Sequence, residues 1–335
     1  MKKILILTGL LILIAMGIII FQFLQMEQTK PDNIMEEKII IGFSQIGAES
    51  AWRNRNSESI KNAATSAGVQ LLFKDAEQKQ ENQIQALRSF IAYQVDVIAF
   101  VPIVETGWDN ILREARAAGI PVLITDRKIK TSEEKLYAGF IGTDSEEEGR
   151  NAAKFLLKKF SKADYPDKSK KNPIRIVEIR GTEGSSPAEG RTAGFRQGLE
   201  GHQDFKIIYS TSGDFLRSKG YEIMSKYLDK NKKIDVIYSH NDGMTLGIID
   251  AIHEHGLLPG KDIVIVTIDA EQAAIDALKK GEINCVLECN PNTGPDIMSL
   301  SKKLANGESI PRFQHVHEEV FTEYDDLSSI APRGY

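Results

Sequence analysis

The sequence predicts an α/β protein made of two doubly wound parallel-sheet lobes behind one N-terminal hydrophobic helix, and three observations carry that prediction. Short β-branched runs alternate with amphipathic helical stretches along almost the whole chain. The runs are largely apolar rather than strictly alternating, as strands covered on both faces are, so the sheets are parallel and joined by helical crossovers. Nine such runs, within a chain of 335 residues, suit two lobes better than one wide sheet.

Taken in order, the chain opens with Met1, Lys2 and Lys3, an n-region expected on the cytoplasmic side. Residues 4–24 follow as an uncharged run in which only Thr8 and Gln22 are clearly polar. A helix of that length reaches roughly 30 Å, enough to cross a bilayer. It reads as a signal anchor or a cleavable signal peptide, and the apolar residues continuing through "IIIFQFL" favour the anchor. The two lysines place everything after residue 30 outside the cytoplasm. No cysteine stands near the end of the run to carry a lipid. Residues 25–37 form a polar linker.

The expected strands are "KIIIGF", "VQLLF", "DVIAFV" and "IPVLIT", then "IRIVEI", "FKIIYS", "DVIYS", "IVIVTI" and "NCVLE". Helices lie between them, for instance Gln80–Tyr93 and 107–118. In the first, Ile84, Leu87 and Ile91 recur at helical spacing and make one apolar face. The break between lobes follows the fourth strand, where a charged loop leads to "LYAGFIG" and a helix capped by Asp144 or Ser145. Glutamates 146–148 there suit the positive end of the helix dipole.

A net charge of -5 with no basic stripe excludes a nucleic-acid footprint. Cys285 and Cys289 would lie roughly 13 Å apart along one strand, too far to bridge, and read as buried thiols rather than a metal site. No nucleophile elbow, P-loop or metal-ligand spacing is present. His253 and His255 diverge on a helix, and His315 and His317 read as an exposed strand. Asp126 and Asp269 could face one another as a glycosidase pair, but both have hydrogen-bonding roles to fill, so no catalytic residue, metal or cofactor is expected.

Ligands of open parallel sheets bind beyond the carboxyl ends of the strands. Residues there are unusually polar: Gln45, Glu49, Trp52 and Arg53 after the first strand, and Asp126 and Arg127 after the fourth. In the second half stand Arg191, Asp214, Phe215, Asn241, Asp269, Asn290 and Asn292. Carboxylates and amides that accept, guanidinium and amide groups that donate, and two aromatics suit a polyol with apolar C–H faces.

"GFSQIGAESAWR", "QKQENQIQALRSF", "SGDFLRSKG" and "HNDGMTLG" carry a resemblance. From residue 38 to about 320 the sequence resembles the type I periplasmic sugar-binding proteins of ABC transporters, and within them the galactofuranose-binding receptors. Ribose-binding proteins and the lactose-repressor effector domain share that superfamily. The repressors' N-terminal helix-turn-helix has no counterpart in the apolar run here. The resemblance implies ligand contacts at Trp52, Arg53, Asp126, Arg127, Arg191, Phe215, Asn241, Asp269 and Asn292, with Gln45, Glu49, Asp214, Arg217, Glu288 and Asn290 as further candidates. Ala270 stands where the family has glycine, and "ECNPNTGP" is a residue shorter than the family's pattern. It also implies a three-segment hinge near 139–143, 288–291 and 316–320. The N-terminal lobe is then 38–141 with 291–318, and the C-terminal lobe 142–290 with 319–335. The implied partners are a monosaccharide of galactofuranose or arabinose type and an ABC transporter permease. A membrane sensor kinase is the alternative partner, motivated by the anchor-like run.

Overall fold

The structure, a computed structural model, describes residues 9, 14–23, 38–161, 165–230 and 233–335. Met1–Lys38 and Ile39–Tyr335 are separate compact units. In the first, residues 9 and 14–23 are helical and exposed; the rest of 4–24 and the linker 25–37 lie outside the described residues. Among the described residues, no helix is long and apolar enough to cross a membrane.

Ile39–Tyr335 carries two six-stranded sheets of matching topology. The first is built from β1 (Ile40–Gln45), β2 (Gln70–Asp75), β3 (Val97–Phe100), β4 (Val122–Thr125), β5 (Gly139–Gly142) and, late in the chain, β11 (Phe313–His315). The second contains β6 (Ile174–Arg180), β7 (Phe205–Ser212), β8 (Val236–Ser239), β9 (Val264–Asp269), β10 (Cys285–Glu288) and β12 (Val320–Thr322). Their orders are β11-β5-β4-β3-β1-β2 and β12-β10-β9-β8-β6-β7. All neighbours pair in parallel except β12, which runs antiparallel to β10.

Burial on both faces explains the unbroken apolar runs. Along β3, Val97 and Ala99 enter one core cluster, while Ile98 and Phe100 enter another on the opposite face. Along β8, Val236 and Tyr238 face one cluster and Ile237 the other. All nine expected strands form. Three more form: β5, "GFIG" bounded by glycines, and β12, a three-residue edge strand, carry no strand signal in the sequence, while the exposed strand expected at His315 and His317 forms as β11, which ends at His315.

The helices are α1 (Ala51–Ser66), α2 (Gln80–Tyr93), α3 (Asp109–Ala117), α4 (Ser145–Lys159), α5 (Ser186–Gly198), α6 (Arg217–Leu228), α7 (Asp242–Glu254), α8 (Gln272–Lys280) and α9 (Gly294–Ala305). Helix α3 starts two residues later than expected, because Gly107 is left-handed at φ +91° and Trp108 takes the N-cap position. Asp144 caps α4, its Oδ1 accepting from Glu147 N–H at 3.2 Å. The chain passes between sheets three times: from β5 to β6, from β10 to β11, and from β11 to β12. Helix α9 connects β10 of the second sheet to the edge strand β11 of the first, and packs against α1.

Helices α4 and α5 touch backbone to backbone. A Cβ on Gly194 would fall 1.9 Å from the Glu146 carbonyl oxygen, and one on Gly149 would fall 2.4 Å from that of Arg191. Only glycine permits this approach, and it brings Glu148 on α4 within reach of Arg191 on α5.

Candidate functional site

In both sheets the strand order reverses beside the first strand, so crevices open at the carboxyl ends of β1 and β3 and of β6 and β8. Loops from the two sheets surround one cavity there, with about 380 Å³ of unfilled space counting its open mouth. From the first sheet it is lined by Glu49, Trp52, Arg53, Asp126 and Arg127. From the second come Arg191, Phe215, Asn241 and Asp269. Nine of the candidates named from the sequence therefore share one cleft.

Three guanidinium groups dominate its electrostatics. Arg53 donates through Nη2 to Asp126 Oδ2 at 2.7 Å and through Nε to Glu49 Oε1 at 3.2 Å. Its Cζ also lies 4.6 Å from the Trp52 ring centroid. Burial opposes its charge, but Asp126 and Glu49 raise its pKa above the ordinary value. Arg127 has weaker company: Nη1 donates to the Ile103 carbonyl at 3.2 Å, and Nη2 stands 3.9 Å from Glu49. Burial, then repulsion by Arg53, lowers its pKa to about 10. Arg191 is held by Glu148, with Nε at 2.7 Å and Nη2 at 3.2 Å, and donates through Nη1 to the His240 carbonyl at 2.5 Å. Its Nη2 lies 4.0 Å from Asp269.

Two buried polar atoms of this wall are left for a ligand: Arg127 Nε as a donor and Glu49 Oε2 as an acceptor have no partner. Asp269 offers a third kind of group. Burial, then the nearby Asp242 carboxyl, pushes its pKa well above the usual range. The Arg191 guanidinium, 4.0 Å away, opposes that shift and faces the same space. Phe215 lies under two cations, 5.4 Å from Arg127 and 6.0 Å from Arg191. Its ring fills space that a Cβ on Gly181 would occupy at 1.9 Å.

The backbone is strained where it turns into the cleft. Asp126 and Phe215 have φ +62°, Asp269 +133° and Ala270 +65°, positions that cost side-chain-bearing residues on the order of 1–3 kcal/mol each. Such strain collects at functional sites. The glycine that the family pattern has in place of Ala270 would relieve one of these positions.

The other candidates do not line the cavity, and their hydrogen bonds show why. Gln45 is buried behind it, donating to Asn56 and Ser57 at 3.1 Å each. Asn292 accepts from Arg55 Nε at 2.8 Å on an exposed face. Asn290 Oδ1 accepts from Asn292 N–H at 2.9 Å. Asp214 pairs with Lys219 and Ser212, and Arg217 with Asp250 at 2.9 Å. Glu288 is taken by Arg333 and the Glu319 N–H. Asn241 faces the cleft, yet its Oδ1 caps α7 through Met244 N–H at 3.0 Å and its Nδ2 donates to the Phe215 carbonyl at 3.3 Å. The capping reading of Asn241 is therefore realised, and α6 begins without a cap from Asp214.

Four lining residues were missed: Ser50, Thr143, Pro187 and Cys289. Thr143 follows β5, whose glycine-bounded "GFIG" carries no strand signal, and Cys289 closes an apolar run that marks it as core. Both cysteines are buried and unbridged. Among the described residues, Glu148, Cys289 and Glu318 bring three potential ligand atoms within 4.8 Å of one another. The Arg191 guanidinium already occupies Glu148, and burial raises the Cys289 thiol far above its ordinary pKa, so the cluster carries its own cation and a protonated sulfur.

Two doubly wound sheets, crossed three times by the chain and closed over a charged, aromatic-backed cleft, define a hinged solute-binding protein. The chain belongs to the periplasmic binding protein domain family, which matches residues 41–309. It is 40% identical over 273 residues to the galactofuranose-binding protein YtfQ of Escherichia coli (strain K12), covering 80% of this chain and 83% of that one. A solved structure from Mycobacterium smegmatis, in complex with beta-D-fucofuranose, superposes with a TM-score of 0.81 at 45% identity, covering 85% and 91% of the two chains. The periplasmic component of the arabinose ABC transporter from Shewanella sp. ANA-3, bound to alpha and beta-L-arabinofuranose, gives 0.79 at 39%, covering 85% and 92%. Membership of this family makes the chain an extracytoplasmic binder rather than a catalyst.

Proposed function

We propose that this protein is a receptor for a monosaccharide in its furanose form, which closes two lobes on the sugar and delivers it to an ABC transporter permease. The carrying observation is the convergence of Arg53, Arg127, Arg191, Asp126 and Asp269 with Phe215, from the strand ends of both sheets, on one cavity. A ring hydroxyl donates and accepts at once, and charged partners make its strongest hydrogen bonds. Relatives named for galactofuranose, fucofuranose and arabinofuranose support the furanose ring. Transport is supported over signalling through a sensor kinase by the Shewanella relative, a component of an ABC transporter.

In this reading Trp52, Arg53, Asp126 and Arg127 are contacts from the lobe 38–141 with 291–318. Arg191, Phe215, Asn241 and Asp269 belong to the lobe 142–290 with 319–335. The three passages of the chain between sheets are the hinge.

Trp52 is the reporter. It is one of two tryptophans, and the other, Trp108, is buried in the first sheet's core. Adding L-arabinose or D-galactose should change the protein's fluorescence, and Trp52→Phe should abolish the change. Absence of a response to every monosaccharide in a calorimetric and fluorescence screen would reject the receptor reading.

The uncharged run 4–24 is proposed as the tether to the outer face of the membrane. Mass spectrometry of the protein from its native membrane should find the run intact. A mature N-terminus near residue 17 or 25 would show a cleaved signal instead.

A further inference from the structure

Several hydrogen bonds join loops of the two sheets without needing a ligand. Glu105 N–H, after β3, donates to the Gly184 carbonyl at 2.9 Å, and Lys128 N–H, after β4, to Ser186 Oγ at 2.6 Å. Two more meet at Trp52: its indole N–H reaches the Cys289 carbonyl at 2.5 Å, and its backbone N–H reaches Glu271 Oε1 at 3.0 Å. The last differs from the others in bringing a carboxylate.

The N-terminus of α1 explains what that carboxylate does. The first turn of a helix leaves N–H groups without intrahelical partners and carries partial positive charge. Ser50 Oγ satisfies Arg53 N–H at 3.1 Å, and Glu271 satisfies Trp52 N–H from the opposite sheet, beyond β9. Glu271 is 5% exposed and does not line the cavity. Its own backbone N–H donates to Asp242 Oδ2 at 2.7 Å, which anchors the main chain from which its side chain reaches Trp52 N–H. Trp52 itself packs into the second sheet's core cluster although it belongs to a first-sheet helix. Opening the cleft would part all of these contacts together.

We propose that Glu271 is a closure latch: a carboxylate from the second sheet that caps α1 only when the lobes are shut, setting the affinity scale without touching the sugar. The proposal rests on the receptor reading above. A binding-competent state populated only in part weakens apparent affinity by that fraction, whatever the ligand. The latch therefore acts equally on every sugar, whereas a pocket residue discriminates among them.

The test uses the full-length chain and two substitutions. Glu271→Gln keeps shape and loses charge; Glu271→Ala loses the hydrogen bond as well. Titration with L-arabinose and with D-galactose should show affinity falling about threefold in the glutamine variant and about tenfold in the alanine variant. The ratio between the two sugars should stay as in the wild type, with the loss appearing as faster dissociation in stopped-flow Trp52 fluorescence. Affinities within twofold of wild type for both variants would overturn the latch, and so would a changed ratio, which would put Glu271 in the pocket. Should the wild type bind neither sugar, the receptor reading falls, and the latch is then decided by small-angle scattering of the unliganded chain. There the alanine variant must be more extended than the wild type, and equal radii would reject it.

Discussion

Replacing Arg191 with methionine should lower the unfolding free energy by about 3–5 kcal/mol, the largest effect expected of any single substitution in the cleft. The side chains of Arg191 and Glu148 are 3% and 4% exposed, and two hydrogen bonds join them. Removing the cation leaves Glu148 buried near Cys289 and Glu318 with no compensating charge, and orphans the His240 carbonyl. The loss should depend on pH. Burial already raises the Glu148 pKa, with Arg191 as its main opponent, so the variant's Glu148 moves further above the unfolded value of about 4.3. Above that value the native state then binds more protons than the unfolded chain, and stability falls as pH rises. Urea titrations should therefore find a larger deficit at about pH 8 than at about pH 5. Adding Glu148→Leu should recover most of the loss, since replacing both members of a buried pair by apolar groups is often neutral. A single-variant loss under about 1 kcal/mol would mean that the pair contributes no more than an exposed one.

What could be read from the sequence follows from the range of the interactions. Two-sided burial writes itself into each strand as an unbroken apolar run, so β3 "VIAF" and β8 "VIYS" are recognisable in isolation. Polar residues directly after those runs, such as Asp126 after β4 and Asp269 at the end of β9, mark the cleft for the same reason. Asn292 and Glu288 satisfy the same local pattern, yet Arg55 and Arg333 claim them, through partners 237 and 45 residues away. Glu271 is the converse case. Nothing in "IDAEQ" marks it, because its partner is a backbone N–H 219 residues distant, and a main-chain donor leaves no trace in side-chain pattern. Ala270 shows a third limit: its substitution for glycine was visible, but the left-handed backbone that makes the change costly was not.

Asp126→Ala should weaken sugar binding by about 2 kcal/mol or more, roughly 30-fold, with Arg53 as the intermediary. Asp126 Oδ2 accepts from Arg53 Nη2 at 2.7 Å, so truncation frees a guanidinium that is 4% exposed and lets it turn from the cavity toward Glu49. The other oxygen of Asp126 remains for a ligand hydroxyl, so one substitution removes both an acceptor and the orientation of a donor. Backbone strain complicates alanine here, because Asp126 sits at φ +62°, a conformation that asparagine and aspartate tolerate better than alanine. Asp126→Asn separates the two contributions: it keeps the left-handed turn and a carbonyl acceptor while losing the charge. It should cost about 1 kcal/mol of affinity with little change in stability, whereas the alanine variant should lose on both counts. Calorimetry with L-arabinose and D-galactose on the three proteins decides the matter. An alanine variant within about 0.5 kcal/mol of wild type would remove Asp126 from the binding site, and an asparagine variant as weak as alanine would show that the charge alone orients Arg53.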